Sequence, residues 1–124
     1  MESIFLVGFG GFIGSVMRHL ATEWSKYLFK GFNFPLGTII VNITGCLLLG
    51  LLNGWAENLE LFTPQIRLFM FVGILGSFTT FSTFSYETIR MMQNGNTMHA
   101  VVNISMQLII GLFAAFIGFQ IACR

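Results

Sequence analysis

Charged residues are scarce in this sequence. Lysine and arginine contribute six residues and aspartate and glutamate five, so that only 9% of the 124 residues are charged. An ordinary soluble domain has roughly a quarter of its residues charged. Hydrophobic residues make up 55% of the chain, and the remaining polar residues are too few to cover the surface of one small domain. The composition therefore excludes a soluble enzyme and indicates a protein whose solvent is lipid.

Several other features are missing or rare. The net charge of +1 provides no basic field for phosphates, which excludes a nucleic-acid partner. Cys46 and Cys123 have neither the spacing of a metal site nor that of a disulfide framework. His19 and His99 lie at the ends of apolar stretches without a Cys or Asp partner, so no enzymatic site is predicted. We expect no cleaved signal peptide, because no basic residues precede the first apolar run.

Long intervals without charge predict four membrane spans. Residues 31–56, 68–86 and 91–123 carry no charged side chain, and about 20 apolar residues of helix cross a hydrocarbon core of about 30 Å. Residues 4–28 are also long enough, although they carry Arg18, His19 and Glu23. The prediction is a single all-α membrane domain over residues 1–124, with spans at about 4–28, 34–54, 65–92 and 98–122. Polar loops separate them, at 30–33, 57–60 and 93–97, and Thr63 before Pro64 predicts a helix N-cap.

Small residues predict close contacts between helices. Gly10 and Gly14 are four residues apart, as are Gly50 and Gly54, and this spacing lets helix backbones approach closely in lipid. Four helices leave no room for a wide pore within one bundle. We therefore expect a homo-oligomer.

The distribution of basic residues indicates that the chain inserts in both orientations. With an even number of spans, Arg67 and Arg124 lie on one side of the membrane and Lys26, Lys30 and Arg90 on the other. Oriented membrane proteins concentrate Lys and Arg on the cytoplasmic side. Because the two sides are almost balanced here, we infer an antiparallel homodimer.

Polar side chains at membrane depth are the candidate functional groups. Asn42 lies in the middle of the second span, with Thr38 one turn earlier on the same face. Asn42 either serves function or bonds a neighbouring helix. In the third span, at 100° per residue, polar side chains share an arc of about 160° and phenyl rings occupy most of the rest. The polar set is Thr79, Thr80, Ser82, Thr83, Tyr86 and Glu87, and the rings are Phe78, Phe81 and Phe84.

This polar stripe is a candidate ion path. Hydroxyls that bond the carbonyl four residues earlier would explain one or two such residues but not this density. The Gly76-Ser77 pair predicts a break in the third helix near 76–79, and carbonyls freed by such breaks commonly coordinate cations. The lining offers hydrogen-bond donors and ring edges rather than carboxylate rings, which suits a small hydrated anion. Arg18 either adds positive charge on the approach or snorkels to the interface.

The sequence resembles the Fluc (CrcB) family of fluoride channels over its whole length. The motifs that carry the resemblance are GGFIGSVMR at 10–18, Gly37-Thr38 with Val41-Asn42 and Gly45 in the second span, and GSFTTFSTFS at 76–85. The resemblance implies an antiparallel homodimer with two pores, each built from both subunits. It further implies passive export of cytoplasmic fluoride through a bacterial-type inner membrane.

The same resemblance implies roles for individual residues. Asn42 would donate to fluoride, and the ring edges of Phe81 and Phe84 would coordinate it. Backbone carbonyls of Gly76 and Thr79 would hold a structural sodium ion where two broken helices cross. The hydroxyl track would comprise Thr80, Ser82 and Thr83 with Glu87 near its end, Arg18 would lie in the vestibule, and Asn103, Ser105 and Gln107 are candidates in the fourth span.

Two alternatives remain open at this point. A small proton-coupled multidrug exporter would share the size and the inverted dimer, but it needs a carboxylate within the membrane. The first span has none in its core, since Glu23 lies near its end. A membrane subunit that transports nothing and packs against a larger partner is the other alternative.

Overall fold

Four long apolar helices make up the chain in the computed structural model, which describes residues 1–59 and 62–124. Spans 1 to 4 cover Glu2–Leu28, Leu36–Asn58, Pro64–Gln93 and Thr97–Ala122, and each is long and apolar enough to cross a membrane. The predicted all-helical, four-span chain is confirmed. Span 2 begins and ends later than predicted, so that Glu57 and Asn58 belong to its helix. Glu60, predicted to lie in the second loop, falls outside the described residues.

Local sequence chemistry explains where the helices begin and turn. The Thr63 hydroxyl accepts a hydrogen bond from the Ile66 N–H at 3.3 Å, with Pro64 in the first turn, so the predicted N-cap is confirmed. Gly31 and Gly95 have φ values of +93° and +78° in the loops after spans 1 and 3. Side chains disfavour this left-handed conformation, which explains glycine at both turns.

Span 3 contains several helical segments. It proceeds from Pro64–Arg67 through a wider π-helical stretch, Leu68–Leu75, to a last helical turn at Gly76–Phe78. Thr79 and Thr80 then have extended backbone, with ψ values of 154° and 109°, before helix resumes over Phe81–Gln93. Span 4 also has a π-helical turn, Met106–Ile110, between Thr97–Ser105 and Gly111–Ala122. The sequence did not predict either π-helical stretch.

Glycines bring the spans together in two pairs. Span 1 packs most extensively on span 3, and span 2 on span 4. A Cβ at Gly10 would lie 2.6 Å from the Phe69 carbonyl oxygen, and one at Gly14 would overlap the Ile74 carbonyl. Spans 2 and 4 approach equally closely, because Cβ atoms at Gly50 and Gly54 would meet the backbone of span 4. Both four-residue spacings therefore serve contacts within one chain, and they no longer support an oligomer.

Contacts at the two ends agree with alternating crossings of the membrane. At one end, Asn58 Nδ2 donates to the Ala122 carbonyl at 3.1 Å, and Arg67 donates to the Ala56 carbonyl at 3.1 Å. At the other end, the rings of Phe34 and His99 lie 6.0 Å apart. The first and third loops therefore share an end, opposite the second loop and the C-terminus.

Candidate functional site

Asn42 is bound to the extended segment of span 3 by two hydrogen bonds. The Thr80 N–H donates to Asn42 Oδ1 at 2.8 Å, and Asn42 Nδ2 donates to the Thr80 carbonyl at 3.1 Å. The side-chain amide thus pairs with both backbone groups of one residue, as a neighbouring strand would. The Thr80 N–H would otherwise be unpaired within the membrane, because the preceding helical segment ends at Phe78. Asn42 therefore connects span 2 to the extended segment of span 3.

A relay of side chains continues from Asn42 into span 4 and back to span 3. Asn42 Nδ2 also donates to Gln107 Oε1 at 2.6 Å, and Gln107 Nε2 donates to Asn103 Oδ1 at 3.0 Å. Asn103, with no exposed surface, donates to Thr88 Oγ1 at 2.9 Å, and the Thr88 hydroxyl donates to the Phe84 carbonyl at 2.7 Å. Sequence reasoning missed this relay, although the one-turn spacing of Asn103 and Gln107 indicated a shared face.

The hydroxyls of the third span fall into two groups. Thr79 bonds the Leu75 carbonyl at 3.0 Å, as expected for a hydroxyl satisfied by its own helix. Thr80 instead caps the following helix, with its Oγ1 at 3.0 Å from Thr83 Oγ1 and 3.4 Å from Ser82 Oγ. Thr80, Ser82 and Thr83 therefore form one hydroxyl cluster at the start of the helix Phe81–Gln93.

Two phenyl rings flank this cluster in different environments. The rings of Phe81 and Phe84 have centroids 5.5 Å apart and planes inclined at 56°. Phe84 is buried at 8% exposure, whereas Phe81 is 76% exposed on the surface of the single chain. Ser82 and Thr83 are exposed beside it. This face is consequently open for a ligand, lipid or another protein surface.

Glu87 lies one further turn along the same helix and contacts span 2. Its Oε1 accepts a hydrogen bond from the Thr38 hydroxyl at 2.8 Å. Its Oε2 is buried and has no hydrogen-bond partner among residues 1–59 and 62–124. Thr38 and Asn42, predicted to share a face, thus both contact the C-terminal part of span 3.

Arg18 faces the hydroxyl cluster across an open cavity. The cavity, of about 290 Å³, is lined by Arg18, His19, Thr38, Thr80 and Thr83, among other side chains. Lys26 and Glu23 also line it and form an ion pair at 2.7 Å. Because Lys26 is paired with Glu23, Arg18 provides the net positive charge of this lining. Ser105, a candidate from the sequence, is exposed and takes no part in the relay through Asn103 and Gln107.

The Gly76 carbonyl does not receive the N–H that a continuous helix would direct to it. In a continuous helix the Gly76 carbonyl would accept from the Thr80 N–H, but that N–H donates to Asn42. Gly76 is exposed, and a cavity of about 160 Å³ is lined by Gly76, Thr79 and Asn42 together with apolar side chains. No cluster of three His, Cys, Asp or Glu that could hold a metal occurs within the described ranges.

Comparison with known proteins adds independent information. The family model described as CrcB-like protein, Camphor Resistance (CrcB), matches residues 5–119. A protein of Methanosarcina acetivorans named fluoride-specific ion channel FluC 1 is 42% identical over 95% of this chain and 88% of its own length. A Campylobacter jejuni protein named fluoride-specific ion channel FluC is 40% identical over 98% of both chains. A protein of the same name from Clostridium novyi is 41% identical over 95% of this chain and 94% of its own.

Proposed function

The chain belongs to the CrcB family, and from that premise we propose that it is a fluoride-selective channel through which cytoplasmic fluoride leaves the cell passively. Its place would be the inner membrane. The observation that carries the proposal is the start of the helix Phe81–Gln93, where the Asn42 amide, the hydroxyl cluster and the phenyl pair lie together at membrane depth.

The chemistry of this region suits fluoride. A fluoride ion that enters a narrow path gives up water, and each hydrogen-bond donor it meets offsets part of that cost. Thr80, Ser82 and Thr83 can rotate their O–H groups towards an anion, and the edges of the two rings carry the positive part of the aromatic quadrupole. The nearby Arg18 favours entry of negative charge.

The exposed face also supports an antiparallel homodimer with two pores. Phe81, Ser82 and Thr83 lie on the surface of one chain, although polar groups at membrane depth usually face protein or water. A second copy in the inverted orientation would cover this face, and both copies would contribute to each pore. The near balance of basic residues on the two sides supports this arrangement.

We further propose that the carbonyls of Gly76 and Thr79 hold a structural sodium ion between the two copies. The free Gly76 carbonyl supports this, since hard cations prefer oxygen ligands. The bound ion would offset the partial negative charge of converging carbonyl oxygens. Thr79→Ala should retain much of the sodium affinity, whereas Gly76→Leu should disrupt the dimer. Among the described residues, a Cβ at Gly76 meets only the Phe71 carbonyl, at 3.5 Å, so loss of the dimer with a folded monomer would locate the crowding between chains.

The direct test is ion efflux from liposomes that contain only the purified chain. Potassium fluoride and potassium chloride should be loaded in parallel, with valinomycin present so that potassium balances the charge. Rapid fluoride loss with retention of chloride is expected. Equal loss of both ions, or loss of neither, would contradict the proposal, and loss of neither would favour a subunit that transports nothing.

A proton-coupled multidrug exporter is the second candidate, and Glu87 is the observation in its favour. One carboxylate oxygen of Glu87 is buried without a partner in the described part of the chain, and this glutamate lies within span 3. Such an exporter would move a cationic drug against a proton gradient. Drug accumulation driven by an imposed pH difference, abolished by Glu87→Gln, would support this candidate over the channel.

A further inference from the structure

Both N–H groups of the Asn42 side-chain amide and its carbonyl oxygen form hydrogen bonds with spans 3 and 4. A primary amide has two N–H groups. In Asn42 one of them donates to the Thr80 carbonyl and the other to Gln107 Oε1. The Asn42 carbonyl oxygen accepts the Thr80 N–H. If Asn42 donates to a permeating anion, it must therefore release one of two protein acceptors.

The two acceptors differ in how firmly they are held. Thr80 offers a backbone carbonyl, and its N–H forms a second bond to the same amide, so release there would disturb two bonds at once. Gln107 offers a single contact from a half-buried side chain with three rotatable bonds. Gln107 is consequently the acceptor that can leave Asn42 at the smaller cost.

The relay behind Gln107 determines which end of its amide faces Asn42. Gln107 Nε2 donates to Asn103 Oδ1, and Asn103 Nδ2 in turn donates to Thr88 Oγ1. The Thr88 hydroxyl proton is directed to the Phe84 carbonyl, which leaves the hydroxyl oxygen as acceptor. Each link thus fixes the orientation of the next, and Gln107 presents oxygen rather than N–H to Asn42. An oxygen at this position competes with an anion for the same donor.

We propose that Gln107 is a positioning residue of the anion path, whose side-chain oxygen occupies an Asn42 N–H until fluoride displaces it. The proposal rests on the proposed function, because it assumes that fluoride reaches Asn42. Displacement forms a bond between the Asn42 N–H and the anion and breaks one between Asn42 and Gln107. Because fluoride must displace Gln107, its affinity for this site is lower than it would be if the Asn42 N–H had no protein acceptor.

The central experiment removes the competing oxygen. Gln107→Met retains length and flexibility but has no amide oxygen, so the Asn42 N–H becomes available. The initial rate of fluoride efflux from liposomes should be measured over a range of fluoride concentrations. The concentration that gives half-maximal rate is expected to fall about fivefold, the factor that corresponds to one hydrogen bond of ordinary net strength.

Two further variants distinguish competition for the Asn42 N–H from a general loosening of the packing between spans 2 and 4. Gln120→Met makes the same change at an exposed position of span 4 and should leave the half-saturating concentration at the parental value. Thr88→Val breaks the relay at its far end but leaves the contact between Asn42 and Gln107. The fall in the half-saturating fluoride concentration should be smaller for Thr88→Val than for Gln107→Met. An equal shift in Thr88→Val, or a lower maximal rate in Gln107→Met with no change in half-saturating concentration, would overturn the proposal.

A measurement on the unaltered chain covers the case in which Gln107→Met does not fold. The ¹⁵N-labelled protein in nanodiscs should be titrated with sodium fluoride while the side-chain amide signals of Asn42 and Gln107 are followed by NMR. Both signals should shift with a common midpoint, and sodium chloride should not shift them. Failure of the parent to move fluoride in liposomes would refute the proposed function. Fluoride efflux with unresponsive amide signals would refute the displacement of Gln107 from Asn42 and leave the channel function intact.

Discussion

Asn42 takes part in three hydrogen bonds that join span 2 to spans 3 and 4. Its position in the middle of an apolar helix identified it as important, since unsatisfied amides are costly in lipid. The sequence could not identify Gln107 as its partner, because the rotation of span 4 relative to span 2 depends on packing along both helices. Whether Asn42 also contacts fluoride stays a prediction.

Asn42→Asp should nearly abolish fluoride efflux. A carboxylate here would repel fluoride by about 4 kcal/mol at 4 Å for an effective dielectric near 20, or roughly a thousandfold in occupancy. Its second oxygen would also face the Thr80 carbonyl and Gln107 Oε1 in place of a donor. Efflux and size-exclusion chromatography should be measured together, with Asn53→Asp on the same span as the matched control. Efflux at the parental rate in Asn42→Asp would exclude a fluoride site at this amide.

Phe81→Ile and Phe84→Ile should both impair fluoride efflux, because an aliphatic side chain of similar bulk lacks the positive ring edge. Their effects on stability should differ. Phe84 is buried within one chain, so its replacement should lower the free energy of unfolding of the monomer by about 1 kcal/mol, whereas replacement of Phe81, which is exposed on the single chain, should cost the monomer less than about 0.5 kcal/mol.

Thermal unfolding and liposome efflux check the two effects separately. Phe113→Ile, at another exposed ring in span 4, is the control for both assays. If both isoleucine variants conduct fluoride like the parent, the rings only pack and do not coordinate the anion.

At the scale of helices, glycine determines how closely the spans approach. The four-residue spacings in spans 1 and 2 correctly predicted close packing, because only residues without side chains permit such contact. The sequence left open whether the contact lies within one chain or between two, since both use the same pattern. The π-helical turns also escaped prediction, because such turns are rare departures from the α-helix that an apolar run is expected to form.

Gly14→Val should destabilise the chain, whereas Gly8→Val should not. A Cβ at Gly14 would overlap the Ile74 carbonyl, which belongs to backbone and cannot rotate away. The expected cost is about 1–3 kcal/mol. A Cβ at Gly8, on the same helix, has no neighbour within 4 Å in the described part of the chain, so that variant controls for the change in helix propensity. Thermal unfolding in detergent is the measurement, and equal stability of the two variants would contradict the close contact of spans 1 and 3.

For the whole molecule, the distribution of charge is the informative feature. Reporter fusions at Arg124 should be active on both sides of the membrane, because the basic residues that orient membrane proteins are nearly balanced. Added lysines in Asn33→Lys and Asn96→Lys should hold the first and third loops in the cytoplasm and leave only the periplasmic reporter active. A strictly one-sided result for the parent would exclude dual insertion and with it the antiparallel dimer.

The interleaved pairing of the spans has a consequence for biosynthesis. Span 1 packs mainly on span 3 and span 2 mainly on span 4, so neither half of the chain contains a complete pair. A nascent chain that has emerged as far as Asn58 holds two helices whose principal partners have not yet been translated. Because the last partner to arrive is span 4, Asn42 reaches Gln107 only when synthesis is almost complete. Chains truncated before span 4 should consequently be recognised by membrane proteases rather than accumulate as stable fragments.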